Sequence, residues 1–408
     1  MNPTNYLLIG GGLASYEAIK SIRTKDKSGS ITLVTSEPHL PYDRPPLTKE
    51  YVRGEKPKEE LGYAPPTFYQ ENKVATLLGV RAEKLDPATS TVALSNGDSV
   101  RYEKLFIATG GNPVKLDVPG ANKKGIHYLR TQDDSDAIIA EAKPGKRAII
   151  IGAGFIGLEL AASLRQRDVD VTVVEVAPKV WARFAAAGLA DFVETYSLNK
   201  GVKFHTNDAI AAFDGRTKVS SVRTKAGLEL PCDFVVVAIG IRPNVELAES
   251  AGLPTSNGIV VDEFLATANP NIYAGGDVAN YLDPVFKKRR RVEHWGHAEY
   301  CGQVAGANMA GAKVKYDLVT YVFSHIFDLD LEFAGDESEH DQALIRGKLS
   351  ANSFMVLYLK GGKLRAYFSI NTSQDDFPFL QMLMRSGKDL SKHLKELQDP
   401  AVPVKKLL

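Results

Sequence analysis

The sequence is poor in cysteine and has no long hydrophobic run, and each shortage excludes a class of protein. Its 408 residues include 2 cysteines, Cys232 and Cys301, which lie 69 positions apart. That separation is incompatible with a CxxC redox motif, and two cysteines alone do not build a structural zinc site. The longest apolar run, residues 234–241, has 8 residues, whereas a membrane-spanning helix needs about 20. We therefore expect no disulfide chemistry, no bound metal and no membrane partner.

An excess of charge of one sign is also missing, since 50 Lys and Arg oppose 49 Asp and Glu. Such a balance gives no overall field that would attract nucleic acid. The first residues lack the charged segment and apolar stretch of a signal peptide. The composition is that of a globular protein, and the length corresponds to about two or three domains. We expect a cytoplasmic protein that is a monomer or homodimer and has no nucleic-acid partner.

The most informative positive feature is a repeated pattern. An apolar run, a glycine cluster and a helix-forming stretch occur at Gly10 and again, 142 residues later, at Gly152. In each copy a second apolar run follows and ends in an acid, Glu37 or Glu175. The order of strand, glycine loop, helix, strand and acid is that of a dinucleotide-binding unit. Two copies in context predict two nucleotide-binding domains.

The first loop has the residues that a bound pyrophosphate requires. Gly10 permits the tight turn, Gly12 leaves room for the phosphates, and the small Ser15 lets helix and strand pack closely. Phosphates at a helix N-terminus meet unpaired N–H groups and the positive end of the helix dipole. Glu37 is placed to accept ribose hydroxyls. The alternative is a strand–turn–helix without a ligand.

The second loop has all three glycines of the motif, Gly152, Gly154 and Gly157. Its acid, Glu175, repels the 2′-phosphate of NADPH, and no base follows until Lys179. We therefore predict NADH rather than NADPH. Arg183 is expected near the phosphates or adenine of this cofactor, or else on a solvated helix.

Two dinucleotide sites in one chain indicate a relay between two cofactors. A nicotinamide donates hydride, and the second dinucleotide accepts it. FAD is the natural acceptor because it takes two electrons together and can release them singly.

Residues 37–49 read EPHLPYDRPPLTK. This stretch resembles the E-P-x-x-P-Y-x-R-P-x-L-S-K segment of flavin-dependent NADH:ferredoxin reductases, which serve aromatic-ring dioxygenases and bacterial cytochrome monooxygenases. The resemblance covers about residues 5–310 well and the remainder more loosely. It implies that single electrons pass to a ferredoxin-type iron–sulfur protein. Apoptosis-inducing factor and monodehydroascorbate reductase are more distantly similar.

The resemblance also implies roles for individual residues. Three are expected to be catalytic: Lys49 near the flavin, Glu159 at the nicotinamide carboxamide and Trp295 beside the isoalloxazine. Arg44 is expected to pair with FAD phosphates, and Asp277 to accept a ribityl hydroxyl. The complete set of predicted cofactor-binding residues is Gly10, Gly12, Leu13, Ala14, Ser15, Glu37, Arg44, Lys49, Val80, Ala108, Thr109, Gly110, Arg130, Gly152, Gly154, Phe155, Ile156, Gly157, Glu159, Glu175, Arg183, Ile239, Gly240, Gly276, Asp277, Glu293, His294, Trp295 and Phe323.

Two departures from the family pattern leave the electron acceptor open. Phe323 stands where these reductases commonly have Trp, and His325 is a candidate proton donor or a structural residue. A run of five bases, Lys287, Lys288, Arg289, Arg290 and Arg291, precedes the predicted flavin segment. It is a docking site for an acidic ferredoxin or a solvated loop, and the third alternative, nucleic-acid binding, needs more than one short run. The alternatives are an NADH oxidase, a quinone or monodehydroascorbate-type reductase, or a redox-responsive protein similar to apoptosis-inducing factor.

The expected fold class is α/β, with two Rossmann-like dinucleotide-binding domains in a glutathione-reductase-like arrangement and a C-terminal α+β domain. Residues 1–114 and 243–316 form the predicted FAD domain, and residues 115–242 form the NAD domain inserted into it. Residues 317–408 form the C-terminal interface domain. In this last part, the sequence predicts a hairpin over residues 354–369 and a helix near residues 389–397.

Overall fold

The structure is a computed structural model that describes residues 3–408. Its α-helices are α1 Leu13–Lys25, α2 Glu50–Arg53, α3 Pro66–Glu71, α4 Gln132–Glu141, α5 Phe155–Arg165, α6 Leu189–Asn199, α7 Glu246–Ser250, α8 Trp295–Met309, α9 Phe377–Ser386 and α10 Leu394–Gln398. Its strands are β1 Thr4–Ile9, β2 Ile31–Thr35, β3 Val74–Leu78, β4 Ala82–Asp86, β5 Thr91–Leu94, β6 Ser99–Ile107, β7 Gly111–Pro113, β8 Ile126–Tyr128, β9 Arg147–Ile151, β10 Asp170–Val174, β11 Lys203–His205, β12 Ile210–Asp214, β13 Ser221–Thr224, β14 Glu229–Pro231, β15 Phe234–Val237, β16 Ile241–Pro243, β17 Ile259–Val260, β18 Ile272–Ala274, β19 Ala279–Leu282, β20 Arg289–Arg290, β21 Tyr321–Ile326, β22 Leu329–Gly335, β23 Gln342–Lys348, β24 Ser353–Lys360 and β25 Lys363–Ile370.

The chain divides into two compact units. Within the described residues, the first unit comprises residues 3–43, Glu59–Asn112 and Arg242–Thr320. The second unit comprises Arg44–Lys58, Pro113–Ile241 and Tyr321–Leu408. The segment Arg44–Lys58 therefore belongs to the same unit as the second glycine loop, which its position in the chain does not suggest. The domain boundaries predicted from the sequence stay a prediction.

The first unit is built on a sheet in the order β3-β2-β1-β6, with β18 also parallel to β6. Leu7 and Leu8 of β1 and Phe106 of β6 are fully buried, as expected when helices cover both faces of a parallel sheet. The carboxyl ends of these parallel strands lie at one edge. The residues that follow β1, β6 and β18 therefore meet there.

Helices α1 and α8 of the first unit pack with their backbones almost in contact. A Cβ atom at Gly302 would lie 2.3 Å from the carbonyl oxygen of Ala14, and one at Gly306 would lie 2.6 Å from that of Ala18. Only glycine fits at these two positions. The small-residue face on α8 thus fixes the position of α1, whose N-terminus follows the first glycine loop.

The second unit contains a parallel sheet in the order β11-β10-β9-β15-β8 and a C-terminal antiparallel sheet in the order β21-β22-β25-β24-β23. Strands β9 and β15, with sequences RAIII and FVVV, are buried runs at the centre of the parallel sheet. In the antiparallel sheet, β24 and β25 form the hairpin that the sequence predicts.

The helix predicted near residues 389–397 is wrong in its first half. The Asp389 carboxylate accepts hydrogen bonds from the backbone N–H and hydroxyl of Ser391, and Leu390 N–H donates to Gly362 O. These bonds hold residues 389–391 in a turn, because short polar side chains compete with helical hydrogen bonding. Helix α10 begins only at Leu394. The longer α9 was not predicted.

Candidate functional site

The first glycine loop has the geometry that its sequence predicts. Gly10 follows β1 with φ +115°, and a Cβ atom there would lie 2.1 Å from the carbonyl oxygen of Ala108. Gly12 is the N-cap of α1, and a Cβ atom there would meet no described atom within 4 Å. Gly10 therefore allows two strand ends to approach, whereas Gly12 keeps the space before the helix open.

The second glycine loop repeats this arrangement. Gly152 has φ +104°, and a Cβ atom there would lie 2.4 Å from the carbonyl oxygen of Ala238. At Gly157 the distance would be 2.0 Å to the carbonyl oxygen of Gly152. Gly154 caps α5 and, among described atoms, has nothing within 4 Å of its Cβ position.

Among the described residues, the two helices that follow the loops lack a side-chain cap at their N-termini, as α3, α6 and α9 also do, whereas α4 has one. In α4 the Thr131 hydroxyl accepts the N–H of Asp134, and the Asp134 carboxylate accepts that of Thr131. Helices α1 and α5 have no such cap from any described side chain, and neither has an acid in its first turn. Their first N–H groups remain available to an anion. Both loops therefore fit the pyrophosphate of a dinucleotide.

The acid of each copy lies beside its loop or strand end. The Glu175 carboxylate accepts hydrogen bonds from the N–H of Ala153 at 2.6 Å and of Ala177 at 2.8 Å. Glu37 follows β2 and accepts a bond from the hydroxyl of Tyr42 at 2.5 Å. A carboxylate has about four lone-pair sites, so these bonds orient Glu175 without exhausting its capacity to bind a ribose.

An apolar rim lies at the carboxyl edge of the sheet in the second unit. Val176, after β10, is 70% exposed, Ile156 at the start of α5 is 45% exposed, and Ile239 after β15 is 37% exposed. Exposed apolar side chains gathered at one edge are typical of a ligand groove. Gly240 follows Ile239 with φ +101°. The predicted residues of the second site thus share one sheet edge.

The other predicted residues of the first unit also lie after the carboxyl ends of parallel strands. Ala108, Thr109 and Gly110 come directly after β6, and Thr109 is fixed by mutual hydrogen bonds with Asn244 of 2.7 and 2.9 Å. Gly276 follows β18, and its Cβ position lies 3.4 Å from the Cβ of Ala14. This unit therefore brings the glycine loop, the end of β6 and the Gly276 turn together. Val80, after β3, donates its N–H to Thr35 O.

The residues around the start of α8 are held by specific bonds. Trp295 donates its indole N–H to Asp43 at 3.0 Å, and His294 caps α8 by accepting the N–H of Gly296 at 3.3 Å. Glu293 pairs with Arg291 at 2.5 Å. These contacts give Trp295 a fixed orientation. Its predicted place beside a flavin stays a prediction.

The second unit brings Lys49 and Glu159 together. The Lys49 ammonium lies 3.3 Å from the Glu159 carboxylate, and both side chains are only 6% exposed. Thr48 donates a short hydrogen bond to one oxygen of Glu159, and Ser324 donates to the other at 2.6 Å. A buried charge is tolerated when it is paired and hydrogen-bonded. Two separate segments thus converge on the Glu159 carboxylate.

Two buried serines hold the turn that presents Lys49. The hydroxyl of Ser135 on α4 donates to Leu47 O at 3.0 Å, and that of Ser163 on α5 donates to Thr48 O at 2.7 Å. The guanidinium of Arg167 donates to Val52 O at 2.6 Å. The segment Arg44–Lys58 is therefore attached to the second unit through its carbonyl groups.

We predict that Lys49→Met lowers the free energy of unfolding by about 3 kcal/mol, because removing one member of a buried pair leaves the other charge uncompensated. Urea unfolding measures the change. The double variant Lys49→Met/Glu159→Gln is the control, since it removes both charges and should recover most of the loss. A single variant as stable as the wild type would contradict this account of the pair.

Three other predicted residues of the second unit have contacts of their own. Arg44 donates to the carbonyl oxygen of Arg130 at 2.7 Å. Arg183 forms a two-bond pair with Glu337, at 2.5 and 3.0 Å. Phe323, on β21, lies opposite Glu332 of β22 and is partly buried. Their roles toward a cofactor stay predictions, and the pair with Glu337 uses two of the five N–H donors of Arg183.

The basic run is not simply a solvated loop. Arg290 pairs with the buried Asp283 at 2.9 Å, and Arg291 donates to Asp277 O at 3.2 Å. Arg289 donates to two backbone carbonyls. The three arginines thus bond to groups of the first unit, whereas the side chain of Lys287 is exposed. The sequence shows five charges but not which of them have partners.

Both cysteines are buried and free, and burial raises the pKa of each thiol to about 12. Neither is therefore a thiolate at neutral pH. Among residues 3–408, no group of three or more His, Cys, Asp and Glu could hold a metal ion. No helix in the described part of the chain is long and apolar enough to cross a membrane.

The comparisons with known proteins agree with this geometry. The family model described as "Pyridine nucleotide-disulphide oxidoreductase" matches residues 4–302, and that described as "Reductase C-terminal" matches residues 321–408. Rhodocoxin reductase of Rhodococcus erythropolis is 35% identical over 372 residues, which are 90% of this chain and 87% of the relative. Monodehydroascorbate reductase of Solanum lycopersicum is 33% identical over 398 residues, 91% of this chain and 92% of the relative.

The fold is also found in solved structures. A chain in the crystal structure of the covalent putidaredoxin reductase–putidaredoxin complex matches with a TM-score of 0.94 and 31% identity, covering 100% of this chain and 98% of that one. The predicted fold class and the resemblance stated on residues 37–49 are confirmed.

Proposed function

Because this chain belongs to the pyridine nucleotide-disulphide oxidoreductase family, we propose that it is an NADH-dependent flavoprotein that reduces a ferredoxin-type iron–sulfur protein. The observation that carries the proposal is the pair of glycine loops, in which Gly12 and Gly154 keep the space before α1 and α5 open. The C-terminal segment matches the reductase model that accompanies this family domain in the chain. The predicted enzyme class, an FAD-dependent NAD(P)H oxidoreductase, is confirmed by family membership.

When bound, FAD would accept the hydride and release its electrons singly. The protein binds and orients the cofactors and provides charged groups near them. The N-terminus of α1 is proposed to hold the FAD pyrophosphate, and that of α5 the pyrophosphate of NADH. Lys49, Glu159 and Trp295 stay the proposed catalytic residues. For Lys49 the support is its burial beside Glu159, which keeps a positive charge in a site largely free of water.

The preference for NADH rests on Glu175. We predict that Glu175→Arg raises the KM for NADH at least about tenfold and lowers that for NADPH, because the guanidinium attracts the 2′-phosphate that the carboxylate repels. Glu175→Gln is the matched control. It keeps an acceptor for the N–H of Ala153 but loses the charge, so its selectivity should fall between the two. Unchanged selectivity in Glu175→Arg would contradict the ribose contact.

A docking role for the basic run is proposed for its exposed part. Arg290 and Arg291 are engaged with Asp283 and Glu293, so the proposed docking site narrows to the exposed Lys287. A positive patch next in sequence to the predicted flavin segment would speed encounter with an acidic partner and orient it.

Steady-state turnover with an acidic ferredoxin at low and high salt tests this proposal. We expect Lys287→Glu to lower kcat/KM for ferredoxin about fivefold at low ionic strength and to have little effect at 1 M salt, where the screening length falls to about 3 Å. Lys84→Glu, an exposed residue on β4, carries the same charge change and serves as the control. Equal losses in both variants would contradict docking near Lys287.

A second candidate function is supported by the similarity to monodehydroascorbate reductase. In that case the acceptor is a small radical rather than a protein. Rapid, salt-independent turnover with monodehydroascorbate, and none with any ferredoxin, would favour this function over the first.

A further inference from the structure

Trp181 contacts both of the residues that flank Gly154 in the second glycine loop. Its backbone N–H donates to the carbonyl oxygen of Ala153 at 3.3 Å, and its indole packs against the ring of Phe155, with centroids 4.8 Å apart. Ala153 also donates its own N–H to Glu175 at 2.6 Å. The two peptide groups that flank the Ala153 Cα are therefore fixed, one by Glu175 and the other by Trp181.

The backbone of Trp181 has an unusual conformation. Its φ of +45° and ψ of +44° lie in the left-handed region. For a bulky residue such a conformation is an outlier, because its Cβ comes too close to the following carbonyl oxygen. Backbone strain of this kind persists only where the surrounding structure imposes it, and it occurs mostly at functional sites. The conformation of Trp181 must therefore be stabilised by its neighbours.

The indole of Trp181 is held by packing rather than by a hydrogen bond. Trp181 is 5% exposed, and its indole N–H has no hydrogen-bond partner among the described residues. The ring centroid of Phe368, on β25, lies 5.3 Å from that of the indole, and the centroid of Phe184 lies 6.3 Å from it. Phe184 in turn contacts Phe333 of β22, with centroids 4.9 Å apart. The C-terminal sheet thus supports the residue that contacts the glycine loop.

We propose that Trp181 is a positioning residue for the nicotinamide dinucleotide, which holds Ala153 and Phe155 so that the N–H groups at the start of α5 stay directed at the pyrophosphate. An anion at a helix N-terminus needs several N–H groups that point at one place. Groups that are fixed before binding lose less conformational freedom when the ligand arrives, which strengthens binding. The inference rests on the proposed function, because it requires NADH at the second loop.

Trp181→Leu tests the inference by removing the ring. We expect the dissociation constant of NADH to rise about tenfold, because the supports on both sides of Gly154 are weakened together. Stopped-flow reduction of the holoprotein over a range of NADH concentrations measures this constant. The limiting rate at saturating NADH should stay within about twofold of the wild-type value, since the substitution affects binding alone.

Trp181→Phe is the conservative variant. It keeps an aromatic ring and loses an N–H that has no partner among the described residues, so it should recover most of the affinity for NADH. If Trp181→Leu does not fold, Trp181→Met replaces it in the comparison, because a flexible methionine fills irregular space in a core.

Phe333→Leu is the matched control. Phe333 is also 5% exposed and packs against Phe184 and Phe368 of the same aromatic cluster, but within the described part of the chain its ring does not contact Phe155. This variant should lose stability toward urea yet bind NADH as the wild type does. Equal rises in the dissociation constant in Phe333→Leu and the Trp181 variant, or wild-type affinity in the latter, would overturn the inference. A wild-type flavin that NADH does not reduce would instead overturn the proposed function.

Discussion

Gly154→Asp is expected to leave the protein yellow but at least about 100-fold slower in its reduction by NADH. The open space before α5 would then contain a carboxylate, which caps the helix as Thr131 caps α4. A negative charge about 4 Å from a phosphate costs about 4 kcal/mol at an effective dielectric constant of 20, and each 1.4 kcal/mol is about a factor of ten in affinity. Stopped-flow reduction over a range of NADH concentrations measures the loss.

The Gly154→Asp substitution should weaken the binding of NADH without affecting the binding of FAD. Gly154 has an ordinary negative φ of −80°, so aspartate introduces no backbone strain there. The FAD content and the free energy of unfolding should therefore equal those of the wild type. A variant that is reduced by NADH at the wild-type rate would exclude the α5 terminus as the phosphate site.

Gly12→Asp is expected to give the opposite phenotype, a folded protein that is purified without colour. Gly12 has the same position before α1, with φ −100° and an open Cβ position. The introduced carboxylate caps α1 and repels the pyrophosphate that the first loop is proposed to hold. We expect the affinity for FAD to fall at least about 100-fold, for the same electrostatic reason. Flavin absorbance per protein chain measures this.

The two variants are controls for each other. Gly12→Asp should still bind NADH, which calorimetry on the colourless protein can detect, whereas Gly154→Asp should still bind FAD. Loss of both cofactors in either variant would show that the loops do not act as separate sites. Retention of FAD by Gly12→Asp would contradict the assignment of the first loop.

The first glycine of each loop could be predicted from sequence because the geometry there excludes every other residue type. Gly10 and Gly152 have positive φ and touch a neighbouring strand, so the constraint appears directly in the sequence. The acids, 27 residues after Gly10 and 23 after Gly152, could be predicted because each comes just after the second strand of its unit. A feature that depends only on local backbone geometry can be predicted from a single sequence.

The hydroxyl groups around Glu159 could not be predicted in this way. Thr48 is 111 positions from Glu159 and Ser324 is 165 positions from it. Serine and threonine are common, and their local sequence does not show which carboxylate they will meet. Family resemblance identified Lys49 and Glu159, but the residues that hold them emerge only from tertiary packing.

The sequence also showed charges without their partners. The expected place of Arg183 near a cofactor stays a prediction, but the sequence does not show that Arg183 pairs with Glu337, 154 positions later. Arg290 and Arg291 read as part of a uniform basic run, but their acids, Asp283 and Glu293, lie close by on either side. Which charged residues form an ion pair depends on the path of the backbone, and the composition of the sequence does not show that path.

The central claim is that one chain binds two adenine dinucleotides that exchange electrons. Its most direct test is an anaerobic titration of the purified holoprotein with NADH, followed by the absorbance of the flavin. The account predicts one FAD per chain and complete loss of the oxidised flavin band after one equivalent of NADH. A protein that stays colourless when incubated with FAD, or a flavin that NADH does not bleach, would contradict it.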